Sequence, residues 1–486
     1  MTATVSWSER VAGLVGRFRF SLRTLLALVL AVGAVTAAYR TLSDLDPVRA
    51  ASRQSTDGTF ADRHRAVMTL AAADGNDAFV AIPALIRTLD DPDPRIRRLS
   101  AFGLGRVLDF AGREVLKFAP DKTGPRFAAL ARDVTDALTT AASDADSEVR
   151  FKAVGGLVTV YGDRSLVPLT KPLGTAPAAI NLRPCVAALT AALEDPDERV
   201  RERAASAFAV LPDYLPIAPP EALLRGLDDP SQAVRSSAFL ALCSIEQGLD
   251  AHVGRLFRAV SRRPEDLYYQ CFWLRRVRVG PSALPEVVPF LSDPDWPIRS
   301  CAASLIEAIG PDAVGAVPAL MASLKDSVDD PKLPKFPDGS GQDGFDTIEE
   351  LDPVVSAVRA LIALDPPKAV FLADTLSALT RALQSPRVDR RHAAVRAIGL
   401  LKSDGEAAVP ELIAVVAKEK DETLRRAVLS ALSAVAAGTA SAPKAIDAIE
   451  QALTDGLDLD PIHEVRPLLE PLQKGLAGKP AKDEGP

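Results

Sequence analysis

The sequence predicts an all-α protein: an α-solenoid of about eleven stacked helical hairpins, preceded by one N-terminal hydrophobic helix. Three observations predict it. A signature Asp-Pro-x-x-x-Val/Ile-Arg recurs down the chain, its copies share a spacing, and the residues between copies carry helical apolar periodicity. The signature runs Asp91-Pro92 to Ile96-Arg97, Asp195-Pro196 to Val200-Arg201, Asp229-Pro230 to Val234-Arg235, Asp293-Pro294 to Ile298-Arg299, and Asp460-Pro461 to Val465-Arg466.

Anchored on the arginine slot, the units fall at 63, 97, 150, 201, 235, 269, 299, 354, 391, 425 and 466. Successive differences are 34, 53, 51, 34, 34, 30, 55, 37, 34 and 41, and the three largest exceed 34 by 19, 17 and 21. A regular array carrying inserts gives such numbers, and the inserts fall near 109–133, 162–184 and 326–350. Slots 269 and 354 hold Tyr269 and Val354, so those two registers are open by a turn.

Each unit reads as two helices. The first carries an apolar stripe such as Ile82, Leu85, Ile86 and Leu89, with an early proline (Pro83, Pro285, Pro410) where a missing N–H costs nothing. The second opens at an aspartate N-cap followed by proline, as at Asp93-Pro94, or by Trp296-Pro297 after Asp295. Paired alanines (Ala204 and Ala205; Ala302 and Ala303) then allow close helix approach. No such hairpin can bury its own apolar face, so its neighbours complete the core. Second helices are expected near residues 63, 97, 150, 201, 235, 299, 391, 425 and 466.

The composite pattern Ala-Ile/Val-Pro-x-Leu-Ile/Val, then Asp-Pro-Asp-x-x-Val-Arg-x-x-Ala-Ala-x-Ala-Leu-Gly, resembles the HEAT repeat, in the short form found in phycobilisome lyases. The resemblance spans residues 58–475 and implies a right-handed solenoid. It also implies a ladder between adjacent repeats from the turn aspartates Asp91, Asp195, Asp229 and Asp293 and the arginines Arg97, Arg150, Arg201, Arg235, Arg299 and Arg425. These residues are structural on that reading.

The N-terminus differs. Residues 1–19 are basic, residues 20–39 read FSLRTLLALVLAVGAVTAAY, and residues 40–57 are expected as a linker. The 16 uncharged residues between Arg23 and Arg40 cover about 24 Å as a helix, and snorkelling by Arg23 extends the span toward the roughly 30 Å of a bilayer core. Arg10, Arg17, Arg19 and Arg23 against Glu9 keep the N-terminus in the cytoplasm. The segment is read as a single-pass anchor in a bacterial cytoplasmic membrane with the repeats outside; the alternative is a signal peptide cut after Ala37 or Ala38. Residues 476–486 are expected as a disordered tail.

Charge and composition narrow the function. The chain has 57 basic and 64 acidic residues; residues 1–40 hold five and one, leaving 52 against 63, or −11. A nucleic-acid binder shows the opposite balance. His64, His252, His392 and His463 fall in separate repeats, and Cys185, Cys243, Cys271 and Cys301 have no metal spacing. The loop at Asp338–Glu349 approaches a calcium-loop pattern but has Asp343 where glycine is required. No catalytic, cofactor or metal residues are therefore assigned.

One stretch stands out. Residues 255–278 hold seven arginines against Glu265 and Asp266, with Tyr268, Tyr269, Phe272 and Trp273 interleaved. Arg262, Arg263, Tyr268, Tyr269, Phe272, Trp273, Arg275 and Arg276 are the candidate partner contacts, since Arg, Tyr and Trp dominate binding hot spots. The competing reading makes the aromatics core, replacing the ladder arginine and the alanine pair. The leading function is a non-enzymatic protein-interaction scaffold tethered to the membrane. Alternatives are a lyase or chaperone of the phycobilin-lyase type, which repeat resemblance alone does not transfer, and a nucleic-acid-binding HEAT protein.

Overall fold

In a computed structural model the described residues are 32, 46–118, 120–162, 183–210, 221–245, 248–261, 267–329, 352–457 and 459–477. Among them every regular element is helical and none is a strand. The chain divides into two compact units, Met1–Ala207 and Phe208–Pro486. The expected membrane segment, the inserts near 162–184 and 326–350 for the most part, and nearly all of the tail lie outside the described residues.

The first unit contains α1 (Pro47–Gln54), α2 (Phe60–Ala71), α3 (Ala78–Arg87), α4 (Pro94–Phe118), α5 (Pro120–Ala141), α6 (Ser147–Gly162), α7 (Arg183–Ala192) and α8 (Glu198–Val210), whose end belongs to the second unit. α1 pairs with α2, α3 with α4 and α5 with α6, while first helices stack on first (α1, α3, α5, α7) and second on second (α2, α4, α6). The core between these two layers is aliphatic: Leu70, Ile82, Leu85, Ile96, Leu104 and Leu157 are fully buried.

The second unit continues with α9 (Glu221–Arg225), α10 (Gln232–Cys243), α11 (Val253–Ser261), α12 (Leu267–Leu274), α13 (Leu284–Val287), α14 (Trp296–Ile309), α15 (Val317–Asp329), α16 (Pro353–Ala363), α17 (Lys368–Leu383), α18 (Val388–Leu400), α19 (Val409–Lys418), α20 (Glu422–Ala436), α21 (Ala442–Thr454) and α22 (Arg466–Ala477). The same two layers recur, with second helices α10, α12, α14, α16, α18, α20 and α22 each packed on the next. Trp296–Val328 is long and apolar enough to cross a membrane, but Trp296–Ile306 is almost wholly buried and the run turns at Gly310 (φ +74°). Here it serves as a core hairpin.

The second helices begin at 60, 94, 147, 198, 232, 296, 388 and 422, each three residues before its arginine slot. Carboxylate caps set several of these starts. Thr59 and Asp62 form a capping box on α2, Asp93 accepts from the Arg95 N–H, Asp146 from Val149, and Asp421 from Leu424. The last unit departs: Asp460 caps a π-turn, Pro461–Val465, before α22.

One expectation needs correcting. The linker at 40–57 contains helix α1, capped by Asp46 and started by Pro47, with Val48 and Ala51 buried where it packs on α2. The insert near 109–133 is helical. Its residues lengthen α4 and α5, so one hairpin is longer than its neighbours. Close packing between second helices needs glycine: a Cβ on Gly105 would stand 2.7 Å from the Gly156 Cα, and one on Gly103 2.8 Å from the Ala71 Cβ. Those glycines belong to helix packing.

Candidate functional site

The arginine slot points into the following repeat. Arg63 donates Nε and Nη2 to Asp91 (2.7 and 3.2 Å), Arg97 to Asp144 (2.8 and 2.8 Å) and Arg150 to Asp195 (2.6 and 2.8 Å). Arg391 grips Glu419 likewise (2.9 and 2.5 Å). The remaining Nη1 ties down the arginine's own turn, as from Arg150 to the Asp144 and Ala145 carbonyls and from Arg201 to those of Asp195 and Pro196. Each first aspartate also accepts the N–H two residues on (Asp93 onto Asp91, Asp197 onto Asp195, Ser231 onto Asp229). In an Asp-x-Asp turn the first carboxylate therefore joins two repeats and the second can cap a helix. The Arg97 fork holds the Asp144 carboxyl below the usual carboxylate range.

The ladder stops around residues 255–278. Arg235 bonds its own turn (Asp229 and Pro230 carbonyls, both 2.8 Å), but its buried Nε has no partner among the described residues. On the far side Asp293 meets Ser261 Oγ (3.3 Å) where Asp91 and Asp195 meet an arginine, and burial pushes its carboxyl up. Arg299 donates Nε to Ser327 Oγ (3.2 Å) and Nη1 to the Asp293 carbonyl. At the last repeat Arg425 Nε is buried without a partner among the described residues, and the cross-repeat ion pair is Arg426 with Glu464.

The arginine–aromatic stretch is a surface. Leu267, Gln270, Cys271 and Leu274 are the buried positions of α12, spaced i, i+3, i+4, i+7. Tyr269 is 51% exposed, whereas the ladder arginines Arg97 and Arg150 keep only 17% and 13% of their side chains exposed. Tyr269 is thus not in the ladder's place, and Phe272 and Trp273, both half-buried, are not in that of the buried alanine pair. Trp273 stands edge-on to Tyr269 and Phe272, at ring separations of 6.4 and 5.6 Å. Arg276 lies 3.7 Å over the Phe272 ring. The Trp273 Nε1–H has no partner among the described residues. Arg275 is half-buried beside them, Arg255 is spent on Glu221 and the Leu224 carbonyl, and Arg262, Arg263 and the Tyr268 side chain lie outside the described residues.

A second surface of the same chemistry went unread in the sequence. On the second helices of the first unit, Met68, Phe102 and Phe110 are 50%, 49% and 45% exposed. Cations cover these and neighbouring rings: Arg95 lies 4.0 Å from the Phe60 centroid, Lys152 5.1 Å from Phe151 and 5.8 Å from Phe102, and Arg203 5.3 Å from Phe151. Phe60, His64, Arg95, Arg98, Phe102 and Lys152, with Leu99, line a groove of about 470 Å³ that has no carboxylate in its lining. A larger groove of about 660 Å³ lies across α16, α18 and α20, lined by Arg359, His392, Arg396 and small residues; there Arg359 is paired with Glu307.

The four cysteines are buried thiols, none of them in a disulfide. Cys271 and Cys301 lie side by side, and their mutual hydrogen bond with burial pushes the Cys271 thiol up. Among the described residues no group of His, Cys, Asp or Glu could hold a metal ion.

Residues 374–463 match the family model described as HEAT repeats. No curated protein matches the chain. Among solved structures, importin beta is similar at 15% identity with a TM-score of 0.55, over 94% of this chain and 61% of that one. The Kap95:Nup1 complex aligns at 13% identity and TM-score 0.47 over 95% and 66%, and an engineered protein at 17% and 0.41 over 89% and 100%. The chain thus spans about three-fifths of the importin beta chain. The likeness shows the fold: an all-helical HEAT-type repeat architecture.

Proposed function

We propose that this chain is a non-enzymatic scaffold that holds another protein against the exposed faces of its second helices. One observation carries the reading: exposed and half-buried aromatic rings, several with a cation over them (Arg95 on Phe60, Lys152 on Phe102, Arg276 on Phe272), cluster on second helices of a chain with net charge −7. Solvent-facing rings and arginines are costly to leave bare and are the residue types that dominate protein contacts. We further propose that residues 20–39 tether the array to a bacterial cytoplasmic membrane with the N-terminus inside, or are removed near Ala37 or Ala38 if the protein is secreted.

Photo-crosslinkers at Tyr269 and Phe102 of the full chain, expressed in its own cells, test the scaffold. Defined protein adducts are expected, and Trp273→Ala should weaken capture at Tyr269 by about 2 kcal/mol while leaving the fold intact. Absence of adducts at both positions refutes it. For the tether, the full chain should resist alkaline extraction from membranes and be digested by protease added to spheroplasts. Release into the soluble fraction at full length rejects it.

A further inference from the structure

We infer that the groove across α2, α4 and α6 binds an extended, acidic protein segment whose carboxylates recur at every third residue. The inference deepens the scaffold reading and rests on it. Charge complementarity selects the occupant. The lining offers Arg95, Arg98 and Lys152, with no carboxylate. Arg95 is already matched to Asp93 at 2.8 Å, whereas Arg98 and Lys152 have no ion pair among the described residues. Phe60 and Phe102 provide apolar floor beside these cations, and the same face runs on past Phe151 to Arg203 of α8, where Arg199 is already paired with Glu148 and Asp197.

Helix spacing supplies the repeat. Packed helices lie roughly 8–10 Å apart, and a chain in the extended polyproline II conformation rises about 3.1 Å per residue with about three residues per turn, so every third side chain returns to the same face. A segment crossing the second helices at right angles therefore passes one helix about every three residues. Its acidic side chains meet Arg98 on α4 and Lys152 on α6 in turn, while the residues flanking them rest on Phe60 and Phe102. A peptide is favoured over a nucleic-acid strand because the rings are partly covered by cations (Arg95 at 4.0 Å from Phe60) instead of open for base stacking.

The test uses detergent-solubilised full chain and three fluorescent probes of equal length. One is a peptide with glutamate at every third position and leucine or phenylalanine between, one has the same composition with its glutamates in a block, and one is oligodeoxythymidine. The spaced peptide should bind tightest, and Arg98→Glu with Lys152→Glu should weaken it at least about tenfold. Lys444→Glu, exposed on α21 of the other unit, should leave binding unchanged; circular dichroism verifies that each variant is folded. Equal binding of the blocked peptide, tighter binding of the oligonucleotide, or insensitivity to the double reversal overturns the inference. The crosslinker at Phe102 separates it from the scaffold reading: an adduct with a protein lacking acidic segments sinks the groove assignment and leaves the scaffold standing.

Discussion

Arg150 and Asp195 offer the sharpest measurement of what joins one repeat to the next. Two charge-assisted hydrogen bonds at 2.6 and 2.8 Å link them, with only 13% and 7% of the two side chains exposed. Arg150→Ala leaves Asp195 with the Asp197 N–H at 2.9 Å as a donor, and also frees the Asp144 and Ala145 carbonyls. Removing one member of a buried pair costs about 3–5 kcal/mol, and the partial exposure here places the loss near about 3. Asp195→Ala should cost about 2 kcal/mol, because Arg150 keeps its two carbonyl partners. The double variant should fall short of the sum by about 1.5 kcal/mol, which is the coupling itself. Urea unfolding followed by circular dichroism gives the cycle, with hydrogen exchange added because repeat arrays can open in parts. The exposed pair Arg95–Asp93 is the control, and solvent screening should leave it with the weaker coupling. If Arg150 and Asp195 couple no more strongly than that control, the cross-repeat bond is geometry without energetic weight.

Asp352 is fully buried at the start of α16, and burial pushes its carboxyl up to about 6 from 3.8. The folded chain then binds more protons than the unfolded between those values, so the group's contribution falls as pH rises through them; Asp352→Asn, still an N-cap, should match wild type near pH 4 and exceed it by about 3 kcal/mol above pH 7 in urea midpoints. A difference that does not change with pH rejects the burial. Gly105→Val should cost at least about 2 kcal/mol, since any Cβ there meets the Gly156 backbone; an unchanged melting temperature would contradict that packing. Cys271 and Cys301 should resist a disulfide-exchange thiol reagent in the folded chain and react only after denaturant is added, because they are buried. Rapid labelling without denaturant would show that this layer opens.

Much of the fold was legible because the second-helix signature combines a cap, an arginine and a helical phase in one short run. What escaped detection did so for identifiable reasons. Asp144 lacks the proline of the signature, being followed by Ala145, although it stands six residues before its arginine just as Asp91, Asp195, Asp229 and Asp293 do. Glu419 keeps that interval with a longer carboxylate. At α12 no arginine or aspartate fixes the phase, so the slot given to Tyr269 fell off the buried stripe of Leu267, Gln270, Cys271 and Leu274. The groove of the first unit went unread because a phenylalanine in an apolar helix looks like core. Only burial distinguishes Phe102, half-exposed, from Phe208, fully buried.

Helical phase also separates the arginines that build the array from those free to contact a partner. Within one turn of α4, Arg95 closes on its own cap at Asp93, Arg97 reaches Asp144 in the next repeat, and Arg98 faces the groove. The Arg97 slot recurs as arginine at 63, 150, 201, 235, 299, 391 and 425 because a neighbouring repeat usually offers an acceptor there. The slot one residue later holds His64, Arg98, Phe151, Glu202, Ser236, Ser300, His392 and Arg426, and the slot five later holds Met68, Phe102, Gly155, Ser206, Leu240, Ser304, Arg396 and Ser430. Stacking therefore constrains the ladder slot strongly and these two slots weakly. Identity along the second-helix face can then vary from repeat to repeat at little cost to the fold, and that variation is what gives one array several chemically distinct surfaces. In the first unit it has placed rings and cations around a groove without a carboxylate; between Arg359 and Ser430 it has left arginines among small residues.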